Sequence, residues 1–162
     1  MQATSAPTQA SVDAVAVSLA TLMRHLMTET SPDFFKEVER LELTFSQVKA
    51  LNLLRERAPL SPKGLSEVLG LSLPAVSRAV EQLVVRGMVT RTEDPDDRRS
   101  RRLALTAKGQ RTIDGLVQLR LAGVKRFVAG LEPEEREALM AGLTPLMGRA
   151  EMAQLAPKED SR

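Results

Sequence analysis

Cysteine, tryptophan and tyrosine are absent from this 162-residue chain, which holds only four phenylalanines and one histidine. Without cysteine there is no disulfide, no thiolate nucleophile and no thiol-based redox sensor. A lone His25 with scattered carboxylates is a poor nitrogen and sulfur ligand set, so no metal site is expected. Catalysis needs a nucleophile–base pair or a metal cluster, and His25 has no such motif around it. No enzyme and no cofactor are therefore expected. Met1–Ala10 lacks the basic stretch and apolar core of a secretory leader, and no apolar run approaches the ~20 residues that span a bilayer. These absences point to a cytoplasmic protein without a membrane partner.

What is present suits helices. Hydrophobic residues make up 43% of the chain but aromatics only 2%, so aliphatic side chains and seven methionines must build the core. A β-sandwich would draw more heavily on aromatic residues. The net charge is only +2 and the isoelectric point about 9.3. With no cysteine or tyrosine to titrate, a small excess of base carries the isoelectric point far upward, and its value says little about partners. Distribution says more. Arg91, Arg98, Arg99, Arg101, Arg102, Lys108 and Arg111 crowd one short stretch. Arginine outnumbers lysine, which favours planar, bidentate contacts with phosphate or guanine.

Along the chain, residues 1–10 read as a disordered tail. Val15, Leu19, Leu22, Met23, Leu26 and Met27 recur at helical spacing, and Ser31-Pro32 is expected to end that first helix. A short helical piece from Asp33 to Arg40 follows. Thr44 with Gln47 fits a capping box, and Val48, Leu51, Leu53 and Leu54 form the buried side of the helix it opens. Ser61-Pro62 starts another helix, with Leu65, Val68 and Leu69 as its apolar stripe and Gly70 as its stop. Ser72 caps the next after a two-residue break, and Gly87 supplies a left-handed end. The period then changes: residues 88–92 and 102–105 read as strands around a charged turn, EDPDDRRS. Thr106 caps a long helix to about Gly130, Glu132-Pro133-Glu134-Glu135 opens the last helix, and Pro145 is expected to kink it.

Two short helices joined by a tight turn and followed by a β-hairpin make a winged helix-turn-helix. On a helical wheel, Leu73, Val76, Val80 and Leu83 share one face of residues 72–86, and Pro74, Arg78, Glu81 and Gln82 lie opposite, flanked by Ala75 and Ser77. Small residues on the outer N-terminal half allow close approach to the major groove, where Arg78 can reach a guanine edge. Ser72, Ser77 and backbone N–H groups would meet phosphates, as would Ser61 and Lys63 at the start of the preceding helix. Arg98 and Arg99 at the hairpin tip, with Arg91, Asp97 and Arg101 beside them, form a cationic finger suited to a narrow minor groove. Any amphipathic surface helix has a polar side, and Asp96 and Asp97 can pair with the tip arginines. A recognition-type helix directly followed by a basic hairpin is the more telling combination.

From Leu43 to Gly109 the chain resembles the multiple antibiotic resistance regulator (MarR) family. Asp97, Arg99, Leu103, Leu105, Thr106 and Gly109 meet its wing motif in register, and the run LSLPAVSRAVEQLVVRGMVTR resembles its recognition helix and exit. The expected architecture is mainly α with a small β-wing: a winged helix-turn-helix over 43–106, helical dimerisation regions over 11–42 and 107–155, and a tail over 156–162. The resemblance implies a homodimer joined by its terminal helices. Independently, Leu119, Val124, Phe127, Leu139, Met140, Leu143, Leu146 and Met147 spread apolar surface over wide arcs, which favours dimerisation over a satisfied monomer core. Two-fold symmetry then predicts a pseudo-palindromic site with half-sites about 10 bp apart.

The resemblance further implies a small-molecule effector held between the dimerisation helices and the DNA-binding unit. Met23, Met27, Phe34, Phe35 and Leu51 are candidate pocket residues, although each also serves as ordinary core. The expected function is sequence-specific transcriptional regulation, chiefly as a ligand-responsive repressor, through double-stranded DNA and a second copy of the chain. A non-specific architectural DNA-binding protein is the alternative, and Arg78 with Gln82 at base-reading positions argue against it.

Overall fold

The computed structural model describes residues 11–93 and 101–149, apart from the side chains of residues 29–31. The order is α1 (Val12–Arg40), α2 (Phe45–Arg57), α3 (Pro62–Leu69), α4 (Leu73–Val85), β1 (Val89–Glu93), β2 (Arg101–Leu105), α5 (Ala107–Ala129) and α6 (Pro133–Met147). The expected tails and the hairpin tip with Asp97, Arg98 and Arg99 lie outside the described residues. By internal contacts the chain divides into two units, residues 1–123 and 124–162.

In the first unit, local chemistry sets the helix starts. The Thr44 hydroxyl accepts from the Gln47 backbone N–H at 3.3 Å, and Gln47 Oε1 accepts from the Thr44 N–H at 2.8 Å. Ser61 and Ser72 cap α3 and α4 through their hydroxyls, and Pro62 and Pro74 occupy first-turn positions where a missing N–H is harmless. Gly70 and Gly87 take φ of +64° and +67°, left-handed values that a side chain would resist. Only three residues separate α3 from α4, and the chain turns by 115° between them. That is the geometry of a helix-turn-helix.

The core gathers Leu51, Leu54, Leu65, Val76, Val80 and Leu83 from α2, α3 and α4 beneath the hairpin. β1 and β2 pair antiparallel, with Val89 opposite Leu105 and Arg91 opposite Leu103. Leu60 adds a bridge to the free edge of β2: its N–H donates to the Leu103 carbonyl at 3.2 Å and its carbonyl accepts from the Leu103 N–H at 2.8 Å. The hairpin is thereby fastened to the segment that leads into α3. The first turn of α5 lies so close to the end of α4 that a Cβ on Gly109 would stand 2.0 Å from the Met88 carbonyl oxygen.

Three sequence expectations need correction. Ser31-Pro32 does not end the first helix, because α1 continues through Pro32 to Arg40. A mid-helix proline costs roughly 3 kcal/mol. Beyond it Phe34 is buried and Val38 packs on the core, and burial of large apolar groups returns about 1.5–3 kcal/mol each. Val68 leaves the apolar stripe of α3 and is 51% exposed, lining a cavity beside Phe45 instead. Leu73, expected on the inner face of α4, is 46% exposed because it sits on the first turn, outside the layer formed by Val76, Val80 and Leu83. At the end of α1, Arg40 grips the Glu37 carboxylate through two bonds of 2.6 and 2.7 Å, which holds that carboxyl below its usual pKa.

In the second unit, Glu135 accepts from the Glu132 N–H at 2.9 Å and starts α6, and Pro145 is accommodated within that helix. None of the α6 side chains is buried within the described residues.

Candidate nucleic-acid interface

The outer face of α4 is polar and open to solvent. Val76, Val80 and Leu83 anchor its inner side, and Ser72, Pro74, Ser77, Arg78, Glu81 and Gln82 are all exposed. Ala75, also expected at this interface, is half-buried. Arg78 and Gln82 stand one turn apart on the same side of the helix. Gln82 has a further partner, because its Oε1 accepts from Nε2 of the buried Gln47 at 2.7 Å.

The flanking positions divide between structural and open roles. The Ser72 hydroxyl accepts from the Ala75 N–H at 3.4 Å and that of Ser61 from the Gly64 N–H at 3.0 Å, so both cap their helices. Each oxygen keeps its own proton as a donor for an anion. Lys63 is exposed and meets Glu67 only at 3.9 Å. On the hairpin, Arg91 is exposed on β1. Arg101 lies opposite Glu93 in the ladder and its Nη1 is 2.6 Å from the Glu93 carboxylate. Arg101 thus helps to close the hairpin, a role its place in the basic run does not reveal.

The far end of α4 is tied to two other helices. Arg86, which ends α4, donates through Nη1 to the Glu42 carbonyl at 2.9 Å and through Nη2 to the Leu41 carbonyl. These carbonyls belong to the two residues that follow α1, whose N–H groups close its last turn on Glu37 and Glu39, and Glu42 has a φ of +49°. From the start of α5, Lys108 Nζ donates to the Arg86 carbonyl at 2.8 Å and the Thr106 hydroxyl donates to the Gly87 carbonyl at 2.7 Å. Gln47, Arg86 and Lys108 were not singled out for these links. The capping-box pattern at Gln47 signals its bond to Thr44 and not the one to Gln82.

The candidate effector residues do not form one site. Phe34 lines a cavity of about 380 Å³ with Phe45, Val48, Val68, Ile113 and Leu116. Lys49 and Arg120 line it too, with Lys49 Nζ 5.1 Å from the Phe45 ring centre and the Arg120 guanidinium carbon 4.1 Å from that of Phe34. Such cation–ring contacts hold the cations over an apolar floor. Met23, Met27 and Phe35 line a separate, open groove on α1, and Leu51 is fully buried and lines neither. Among the described residues there is no cluster of three or more metal-ligating side chains, and no single helix is long and apolar enough to cross a membrane.

Residues 41–100 match the sequence model of the MarR family. The chain is 31% identical to the HTH-type transcriptional regulator YfiV of Bacillus subtilis over 114 residues, which cover 70% of this chain and 71% of that protein. It is 36% identical to the multiple antibiotic resistance protein MarR of Escherichia coli over 69 residues, 43% of this chain and 48% of that one. Its fold is similar to the crystal structure of RV1404 from Mycobacterium tuberculosis, with a TM-score of 0.74, 27% identity, and coverage of 90% of this chain and 99% of the other. With the 115° turn into α4, the attached hairpin and these similarities together, the chain belongs to the MarR family of DNA-binding transcriptional regulators.

Proposed function

We propose that the protein is a ligand-responsive repressor that binds a pseudo-palindromic operator as a homodimer in the cytoplasm. The observation that carries the reading is the outer face of α4, where Ser77, Arg78 and Gln82 are exposed on a helix anchored from within by Val76, Val80 and Leu83. Arg78 reads a guanine edge, Pro74 and Ala75 permit close approach, and Ser72, Ser61 and Lys63 meet the backbone. Arg91 and the hairpin arginines Arg98 and Arg99 extend the contact into the neighbouring groove.

Dimerisation is supported by apolar surface that each unit leaves uncovered. In the first unit Val15, Leu19, Met23 and Met27 recur every four residues along α1, all more than half exposed. In the second, Met140, Leu143, Leu146 and Met147 are exposed on α6. A ligand response is supported by the 380 Å³ cavity, a size usual for small-molecule sites. A ligand there would touch α1, α2, α3 and α5 together and shift the population of binding-competent dimers.

The test is a gel-shift titration of the full chain against DNA upstream of its own gene, with random duplex as competitor. Saturable binding that resists the competitor is expected. Binding that random duplex removes equally would replace this reading with a non-specific architectural role.

A further inference from the structure

The capping box of α2 reaches the recognition helix. A backbone N–H can only donate, so the Thr44 N–H fixes Gln47 with its oxygen turned towards it, at 2.8 Å. The Gln47 amide nitrogen must then face the other way, and it donates to Gln82 Oε1 at 2.7 Å. Polarity passes from the Thr44 backbone through Gln47 to Gln82, whose oxygen is held inward and whose NH2 is left for the exterior. Gln47 is only 2% exposed, so an unpaired amide proton there would lack water as a substitute partner. Gln82 lies on the exposed side of α4, one turn beyond Arg78.

We propose that Gln47 is a positioning residue that fixes the orientation of the Gln82 amide, so that Gln82 presents its NH2 to DNA and acts there as a donor. This rests on the reading that the outer face of α4 enters the major groove. A free glutamine pairs bidentately with adenine, donating to N7 and accepting from N6. Bidentate pairing needs Oε1 and Nε2 to face the base edge side by side, and the part-buried bond to Gln47 turns Oε1 towards α2 instead. Gln82 therefore addresses an acceptor: a phosphate oxygen, or guanine N7 or O6, adenine N7 or thymine O4. It does not select adenine through its amino group.

The experiment uses the full-length protein and a duplex selected from a random library by binding to it. Affinity is measured at fixed salt for this duplex, for its single-base-pair variants and for random duplex. Gln82→Ala is expected to weaken binding about three- to tenfold, the worth of one hydrogen bond. Gln47→Met, which removes the tether at similar volume, is expected to weaken it by a similar or smaller factor. In the Gln82→Ala background Gln47→Met should add nothing, because both changes remove the same oriented donor. A Gln47→Met effect that persists undiminished without the Gln82 amide would make Gln47 merely structural and overturn the proposal. Gln47→Glu is the second variant: it keeps the acceptor for the Thr44 N–H but offers Gln82 no donor. The Gln82 amide should then reverse, and the preference at its contact should move towards adenine or cytosine, which present amino groups. Where the Gln82→Ala loss falls on one base pair, an unchanged preference in Gln47→Glu overturns the proposal; where the loss is uniform, Gln47→Glu must weaken binding to every duplex alike, and full affinity overturns it. Loss confined to one base-pair position assigns the acceptor to a base, and uniform loss assigns it to a phosphate. If Arg78→Ala weakens binding and Gln82→Ala does not, this inference fails alone. If neither does, the placement of α4 on DNA fails with it.

Discussion

Two glycines of α5 should respond to the same substitution in opposite directions. At Gly109, an added methyl would sit 2.0 Å from the Met88 carbonyl oxygen and 3.0 Å from its carbon. That is ~1.5 Å short of an ordinary contact distance. The obstacle is backbone, and the same oxygen accepts the Thr106 N–H at 3.0 Å while the Thr106 hydroxyl accepts the Gly109 N–H at 3.0 Å. Relieving the clash must pry the first turn of α5 from the end of α4. Overpacking of this kind costs about 1–3 kcal/mol and a weakened hydrogen bond about 1 kcal/mol, offset by roughly 1 kcal/mol of helix propensity gained by alanine. Gly109→Ala should therefore destabilise by about 2 kcal/mol, lowering Tm by roughly 4–8 °C for a chain of this size. At Gly115, three positions after Thr112 on the same helix, nothing lies within 4 Å of the added methyl. There the propensity term stands alone, and Gly115→Ala should raise Tm by about 2–4 °C. Thermal denaturation at one protein concentration measures both, since association makes Tm concentration-dependent. If Gly109→Ala matches or exceeds the parent protein, or if both variants shift alike, the close approach at Met88 is wrong.

Arg78→Ala should cost about 1–3 kcal/mol at its base pair and flatten the preference there, checked by affinities across a panel of site variants. An unchanged preference would remove Arg78 from base reading. If a dimer neutralises about 6–10 phosphates, its affinity should fall by about 10³–10⁵ between 50 and 200 mM salt, and a flat response in a salt titration would count against DNA as the ligand. Arg86→Ala leaves the Leu41 and Glu42 carbonyls without their guanidinium donors, and should cost about 1.5–3 kcal/mol in urea unfolding. An unchanged midpoint would mean that the joint between α1 and α4 adds nothing to stability.

Helix starts were legible because their chemistry is local. Thr44 with Gln47, Ser61 with Pro62, and Ser72 each pair a side-chain oxygen with an N–H three residues on, so the signal lies within one short window. Gly70 and Gly87 were legible as stops for the same reason. Continuation through Pro32 was not, because it depends on Phe34 and Val38 packing against residues distant in sequence. Leu73 and Val68 were misplaced because periodicity assigns a face but not the depth of the core beneath it. Within the interface, the exposure of Ser77, Arg78 and Gln82 followed from the wheel. Engagement of Gln82 by Gln47 joins positions 35 residues apart, and that of Arg86 with Leu41 spans 45, beyond any pattern read along the chain.

Those long-range bonds also decide how α4 can move. At its C-terminal end Arg86 fastens it to the last turn of α1, and Lys108 fastens the same residue to the first turn of α5. Near its middle Val76 and Val80 are locked in the core, and one turn before Arg86 the Gln47–Gln82 bond joins it to α2. The Arg86–Leu41 and Gln47–Gln82 bonds are partly buried and the Arg86–Glu42 and Lys108–Arg86 bonds exposed, so it is the first two that resist sliding or rotation of α4 alone. Displacement of α4 away from α1 or α2 must therefore break the Arg86–Leu41 or the Gln47–Gln82 bond. The cavity between Phe34 of α1, Val48 of α2 and Leu116 of α5 is bounded by those same helices. Under the proposed ligand response, expansion of its walls would act on α4 through these contacts, with no hinge required inside α4.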